Sequence, residues 1–204
     1  MTALRAFGRD TRAASAAEFA LVMPLFLLFL LGIIDAGRYA WAFNEAEKAT
    51  QIGARWAAVT DPVPNGLKTN NFVSSTVPQG SVVPKSVFDG VECKTVGANV
   101  TCTCPVACGF NPAAVNNMAW TKLVSRMNQI YPGISAANVV INYAWSGLGY
   151  AGDPNGPDVA PLISVSLRDL EFQPMTFMLF NGSLPLPSAE YSLTMEDGTG
   201  TESN

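Results

Sequence analysis

Hydrophobic and polar positions divide this chain sharply. From Phe19 to Ile34 no residue is charged, a run of 16 residues, or roughly 24 Å as a helix at about 1.5 Å per residue. A bilayer core of about 30 Å asks for about 20 residues. Ala13 to Ala17 can supply the difference only if Glu18 is accepted in, or at the edge of, the membrane. The pattern predicts an anchor helix from Ala14 to about Ile34, with Pro24 inside it. Proline removes a donor and crowds the preceding turn, so a kink is expected there. Membrane helices tolerate one where neighbours supply partners; the kink serves bundle packing or is an ordinary membrane-helix proline. Beyond Asp35 the pattern becomes amphipathic. Phe43, Ala46, Ala49, Ile52, Trp56 and Val59 recur at steps of three and four, one apolar stripe running to Thr60. It is expected to pack on the domain that follows, with a partner helix as the alternative. Asp35 with Arg38 and Glu45 with Lys48 are spaced to pair on the helix surface. Asp61-Pro62 ends the helix, because the residue before proline is pushed out of the helical region.

The rest of the chain reads as a small mixed domain. Residues 63–87 are rich in Pro, Gly, Ser and Asn and predict an irregular loop with a short strand at Ser81 to Val83. Val91–Val96 and Asn99–Cys104 are β-prone runs around Gly97-Ala98 and predict a hairpin. Asn111-Pro112 predicts a helix start, running to about Ile130 with Val115, Met118, Leu123, Met127 and Ile130 on its core side, before Pro132-Gly133 stops it. Asn138–Trp145 and Leu162–Leu170 predict strands. In the second, Ile163, Val165 and Leu167 alternate with serines and Arg168, one buried face and one wet face as in an antiparallel sheet. Phe172–Phe180 is strongly apolar, either closing the core or forming a contact patch. Ala189–Met195 predicts a last strand, and residues 196–204 a polar, acidic tail.

Composition narrows the chemistry. The 204 residues allow one membrane segment and one modest domain. Net charge is −4, with no basic patch beyond Arg5, Arg9 and Arg12, which argues against nucleic acid. Histidine is absent; this excludes Ser-His-Asp and Cys-His catalysis and most zinc sites. Positive flanks stay cytoplasmic, so residues 1–13 read as a basic cytoplasmic leader and the chain from Asp35 onward as exported. A cleavable secretory signal is the competing reading, but the small-x-small site at Ala40-Trp41-Ala42 lies behind Asp35 and Arg38, far past the apolar run. Four cysteines in an exported domain favour disulfides over metal. They allow three pairings; a two-residue hairpin turn sets Cys93 opposite Cys102 at a non-hydrogen-bonded position and leaves Cys104 to close a tight loop with Cys108. The Cys-x-Cys and Cys-x-x-x-Cys spacings are not those of a zinc clamp.

Other motifs carry less. Gly147-Leu148-Gly149 lacks the lysine and the strand-loop-helix setting of a phosphate loop. Asp153, Asn155 and Asp158 have neither the spacing nor the closing glutamate of a calcium loop. No Gly-x-Ser-x-Gly occurs. Asp169 and Glu171 form a carboxylate pair suited in principle to acid–base work, although solvated strand-end charges are far commoner. The reading is no enzyme, no cofactor and no metal site.

Glu18 is the residue that matters most. An ionisable group at membrane depth costs a few kcal/mol or more, roughly, and is a functional suspect. Either it snorkels to the headgroups, or it is stabilised by a cation inside an assembly. Ala13-Ala14-Ser15-Ala16-Ala17-Glu18-Phe19, then Ala20-Leu21-Val22-Met23-Pro24 and Gly32-Ile33-Ile34-Asp35-Ala36-Gly37-Arg38-Tyr39, resemble the TadE-like family, pseudopilins of the tight-adherence (Tad, Flp) pilus assembly system. The resemblance is strongest over residues 13–39, with weaker echoes in Ile130-Tyr131-Pro132, residues 139–143, Gly147-Leu148-Gly149 and residues 163–167. It implies a class III signal peptide cut by a membrane aspartic prepilin peptidase between Ala13 and Ala14, making Glu18 the fifth mature residue. Ala13 departs from the glycine more often found before the cut. Glu18 would then answer the new amino terminus of a neighbouring subunit, with Glu18, Phe19 and Pro24 forming the assembly helix.

The fold expected is α+β and pilin-like. A long membrane-anchoring helix (14–60) packs on a small antiparallel-sheet periplasmic domain (61–204). The function expected is a non-catalytic pilus assembly component, a minor pseudopilin, in a bacterial inner membrane, with a prepilin peptidase and other pilins as partners. The alternative is a signal-anchored periplasmic binding module or enzyme unrelated to pili.

Overall fold

The computed structural model describes residues 11–176, 182–196 and 198–201, with side chains from residue 15 onward. Residues 1–10 of the basic leader, residues 177–181 of the apolar segment, and residues 197 and 202–204 of the tail lie outside the described residues. The chain divides into two compact units: Met1–Trp41 with Glu171–Leu184, and Ala42–Leu170 with Pro185–Asn204.

The first element is helix α1, Thr11–Val59, 49 residues with Pro24 inside. In the first unit its residues from Phe19 to Ile34 are exposed apolar side chains with little interruption. The second unit begins with the carboxy-terminal part of α1. Its buried face is made of small residues: Ala42, Ala46, Ala49, Ala54, Ala57 and Ala58 are buried, together with Gly53 and Trp56. Of the expected stripe, Ala46, Ala49 and Trp56 are buried, and Phe43, Ile52 and Val59 are half-buried. The helix lies close to what it covers, so small side chains take the centre of the contact and larger ones flank it. A Cβ on Gly53 would meet Met127 Sδ at 2.8 Å and Val165 Cγ1 at 3.3 Å. Arg126 stacks over the Trp56 ring at 5.9 Å.

The core sheet has five strands in the order β2-β1-β3-β4-β7, every neighbour antiparallel. They are β1 Gly90–Val96, β2 Asn99–Thr103, β3 Val139–Ala144, β4 Leu162–Leu167 and β7 Ala189–Thr194. The short strands β5, Glu171–Phe172, and β6, Leu184–Pro185, form a separate ladder. Side chains alternate across the sheet. One row runs Cys102–Cys93–Ile141–Val165–Tyr191, and the next on the same face Val91–Tyr143–Ile163–Leu193. All of these but Tyr191 and Leu193 are buried. On the opposite face Thr103, Glu92, Asn142, Ser164 and Ser192 align, the polar side that the β4 alternation predicts. At the centre, the Tyr143 hydroxyl is buried and accepts the Val63 N–H at 3.1 Å. Burial pushes this phenol up and the Val63 hydrogen bond only partly offsets it.

The hairpin is as expected. Gly97, at the first central position of the turn, has φ +64°, the left-handed value that tight hairpin turns require. Cys93 faces Cys102 with Cα atoms 4.0 Å apart, and the two form a disulfide. Counting alternately back from the Val96–Asn99 pair at the turn puts them at a non-hydrogen-bonded site, where side chains approach most closely. Cys104 and Cys108 form the second disulfide.

Three local expectations are corrected. No strand forms at Ser81 to Val83. Pro78 and Pro84 deprive this stretch of donors, and it pairs instead with another loop, through Gly80 N–H to Ala151 O and Ala151 N–H to Ser81 O, both 2.8 Å. A one-turn helix, α2 Gly66–Thr69, occupies the loop before it. Helix α3 starts at Asn117 and runs to Asn128, later than the Asn111-Pro112 signal. Asn111 is used for a local turn, its side chain accepting the Ala113 N–H, and Asn116 caps the helix by accepting the Ala119 N–H at 3.1 Å. With that start, Trp120, Leu123 and Met127 face the core, while Met118 is 61% exposed. Finally, β4 ends at Leu167 rather than Leu170; Asp169 takes φ +55° and turns the chain away.

Candidate functional site

Glu18 stands at the head of the apolar run, exposed, on a helical turn otherwise made of alanine and Phe19. It is in none of the four salt bridges among the described residues. Phe19 and Pro24 are exposed on the same helix, as are Leu25 to Leu30 and Ile33 and Ile34. This is a helix long and apolar enough to cross a membrane, and none of its most apolar stretch is buried among the described residues. A contiguous apolar surface of this extent needs lipid or other helices. Ala13 and Ala14 lie in the first turn of the described helix.

Where the apolar run stops, the first unit has a second feature that sequence reading missed. Asp35, only 6% exposed, accepts four hydrogen bonds. The Met175 N–H reaches Oδ1 at 2.8 Å; the Thr176 N–H and Thr176 Oγ1–H both reach Oδ2 at 2.8 Å. Arg38 Nη1 donates to Oδ1 at 3.1 Å, one turn along the helix. Arg38 also lies over the Phe172 ring at 5.2 Å, and Tyr39 meets that ring edge-on at 5.6 Å. Asp35 lies just beyond the apolar run. Burial works to raise its pKa; the Thr176 and Met175 donors and Arg38 outweigh it and hold the carboxyl at about 2. The i,i+3 pair with Arg38 was legible from spacing. The partners at 175 and 176 were not, because nothing in local sequence links positions 140 residues apart. The only hint was a lone acid directly after a membrane-grade run. Glu45 and Lys48, with the same spacing, form no salt bridge among the described residues.

A cleft of about 270 Å³ in the second unit is lined by Trp56, Asp61, Asn116, Met118 and Lys122, with Gly200 and Thr201. Its charged groups are engaged. Asp61 takes Lys68 Nζ at 2.7 Å and the Gly200 N–H at 2.9 Å, which outweigh burial and draw its carboxyl below the usual range. Lys122 Nζ donates to the Thr201 carbonyl. The loop acids are structural too. Asp158, buried, accepts the Phe72 N–H at 2.7 Å and the Asp153 N–H at 3.1 Å, and Asp153 accepts the Asn155 N–H. Asp169 and Glu171 are both exposed, and Asp169 contributes its carbonyl to Asn138 Nδ2. Among the described residues no three His, Cys, Asp or Glu side chains converge as metal ligands do. Cys93, Cys102, Cys104 and Cys108 are all in disulfides, and none is free.

No curated protein and no solved structure matches the chain. A family model does, over residues 13–55, and its description is TadE-like protein. The match covers Ala13, Ala14, Glu18, Phe19 and Pro24, and also Asp35, Arg38 and the small-residue face up to Gly53 and Ala54. Residues 13–55 of the chain are thus similar to TadE-like proteins.

Proposed function

We propose that this chain is a non-catalytic component of a Tad/Flp pilus assembly apparatus, a minor pseudopilin held in the bacterial inner membrane by residues 14–34. The observation that carries the reading is the uncharged, uncovered run from Phe19 to Ile34 with a single carboxylate, Glu18, at its head, inside the TadE-like segment. Arg5, Arg9 and Arg12 keep the leader on the cytoplasmic side. The larger unit, with its two disulfides, then faces an oxidising periplasm. A prepilin peptidase cuts between Ala13 and Ala14, so that Glu18 becomes the fifth residue. Its charge is then compensated by the fresh amino terminus of a neighbouring pilin or pseudopilin, since a carboxylate in hydrocarbon needs a partner cation. Pro24 leaves one backbone carbonyl without its helical donor and gives the anchor a place to bend as helices pack. The contribution to adherence is indirect, through the pilus.

Amino-terminal sequencing of the protein from membranes, with and without the peptidase, tests the reading. A start at Ala14 that depends on the peptidase supports it. An intact Met1 points to a tethered binding module, and a start near Phe43 to a secretory signal. Glu18→Val is expected to keep the protein in the membrane and abolish piliation; normal pili in that mutant would remove Glu18 from the mechanism.

A further inference from the structure

The carboxylate of Asp35 fixes the level of a second chain segment relative to the membrane anchor. Asp35 is the residue after Ile34, where the uncharged run ends. Met175 N lies 2.8 Å from its Oδ1 and Thr176 N 2.8 Å from its Oδ2, so the backbone at 175–176 sits level with the end of the anchor. The side chains gathered there are those of a bilayer interface. Arg38 covers one face of Phe172 and Tyr39 meets its edge. Trp41, six residues past Asp35, is 68% exposed, and Met175 is 45% exposed. At about 1.5 Å per residue Trp41 is about 9 Å beyond Asp35, just past a headgroup layer that adds roughly 5–7 Å on each side of the hydrocarbon core. Tyr and Trp prefer that layer because one end of each ring is apolar and the other wet, and Arg finds phosphates there. The apolar sequence continues past Thr176 into residues outside the description.

We propose that this unit is a lipid-docking surface: Met175, with Arg38 and Tyr39 packed over the buried Phe172, rests in the headgroup and glycerol zone of the outer face of the bilayer, held at that depth by Asp35, with Trp41 at its outer edge. The anchor is then a two-part device, a spanning helix and a side contact that sets its depth and rotation. The occupant is lipid rather than another subunit because the surface is continuous with the apolar run and joins it at the residue where hydrocarbon gives way to polar groups. This rests on the membrane-anchor reading given above.

The native cysteines are all paired, so a cysteine placed at 175 can be labelled uniquely with a fluorophore. The full chain carrying Met175→Cys is reconstituted into phosphatidylcholine–phosphatidylglycerol vesicles and challenged with nitroxide-headgroup lipid and with aqueous iodide. Leu27→Cys, challenged with bromine-labelled acyl chains, reports on the anchor itself. Quenching of the 175 label by the headgroup nitroxide, with shielding from iodide, is expected. In the Asp35→Ala background the two should reverse, and Thr176→Val should give a partial loss. If position 27 is quenched but position 175 sees only iodide, the lipid contact is wrong and the anchor stands. If position 175 is quenched equally with and without Asp35, the carboxylate is not what sets its depth and the proposal falls. If position 27 is not quenched, the anchor reading fails and takes this one with it.

Discussion

Asp35 and Thr176 are joined by two hydrogen bonds of 2.8 Å, from the backbone N–H and from the hydroxyl of Thr176, both to Oδ2. With Met175 N–H and Arg38 on the other oxygen, the carboxylate has donors on both sides, and it is the charged form that all of them favour. The sign of the pH effect follows. The folded pKa, about 2, is below the ordinary value of 3.8. The interaction is therefore fully present above the ordinary carboxylate range and is lost as pH falls through that range toward 2. Hydrogen-exchange protection at the Met175 and Thr176 amides should be constant from pH 7 to pH 5 and collapse in acid. Asp35→Asn should lower that protection at neutral pH and abolish its acid dependence.

Gly53 decides how near helix α1 lies to the sheet. Gly53→Ala should be close to neutral, because Ala is favoured in a helix by roughly 1 kcal/mol and the 2.8 Å approach is to the Met127 thioether, a side chain that can shift. Gly53→Leu has no such relief and should cost about 1 to 3 kcal/mol or more through overpacking. Denaturant midpoints of the detergent-solubilised chain measure both. A leucine tolerated without loss would mean that the helix can ride further from Val165 than the structure has it.

The two disulfides should differ in worth. Cys93–Cys102 spans nine residues and Cys104–Cys108 four. Loop-closure entropy alone gives about 3 and about 2 kcal/mol respectively, and Cys93 is fully buried whereas Cys104 is not. Removing the first pair as Cys93→Ala with Cys102→Ala should lower the unfolding temperature more than removing the second as Cys104→Ala with Cys108→Ala. Equal effects would mean that the closed turn at 104–108 also organises the aromatic cluster of Phe72, Phe88 and Phe110.

What could be read from sequence was whatever is decided locally. The apolar run, the hairpin around Gly97 and the alternation in β4 are each set by residues within a few positions of one another, and their periods are unambiguous. The expected stripe of α1 found Ala46, Ala49 and Trp56 in the core but gave Phe43, Ile52 and Val59 too much weight, because a close helix–sheet contact selects small side chains. Helix α3 was begun too early because Asn-Pro and Asn116 are both good start signals, and only tertiary packing of Trp120 chooses between them. Ser81 to Val83 has strand-like residues but finds a loop as its partner. The pairing of β1 with β3 and the hydrogen bonds of Asp35 join positions far apart in the chain, and no window of sequence contains both halves. At the site, Glu18 was conspicuous because its charge breaks a pattern. Asp35, more deeply engaged than any other acid in its unit, looked like an ordinary helix-end charge.

Both covalent closures tie residues that lie almost beside each other along the polypeptide, and this bears on the order in which the molecule is made. A chain that emerges amino end first into an oxidising compartment, as the proposed function has it, can complete the β1–β2 ribbon before Val140, which pairs with Lys94, has emerged. The central strand then adds to a ready-made, cross-linked edge rather than searching for a floppy one, and late-arriving segments have a fixed template from the outset.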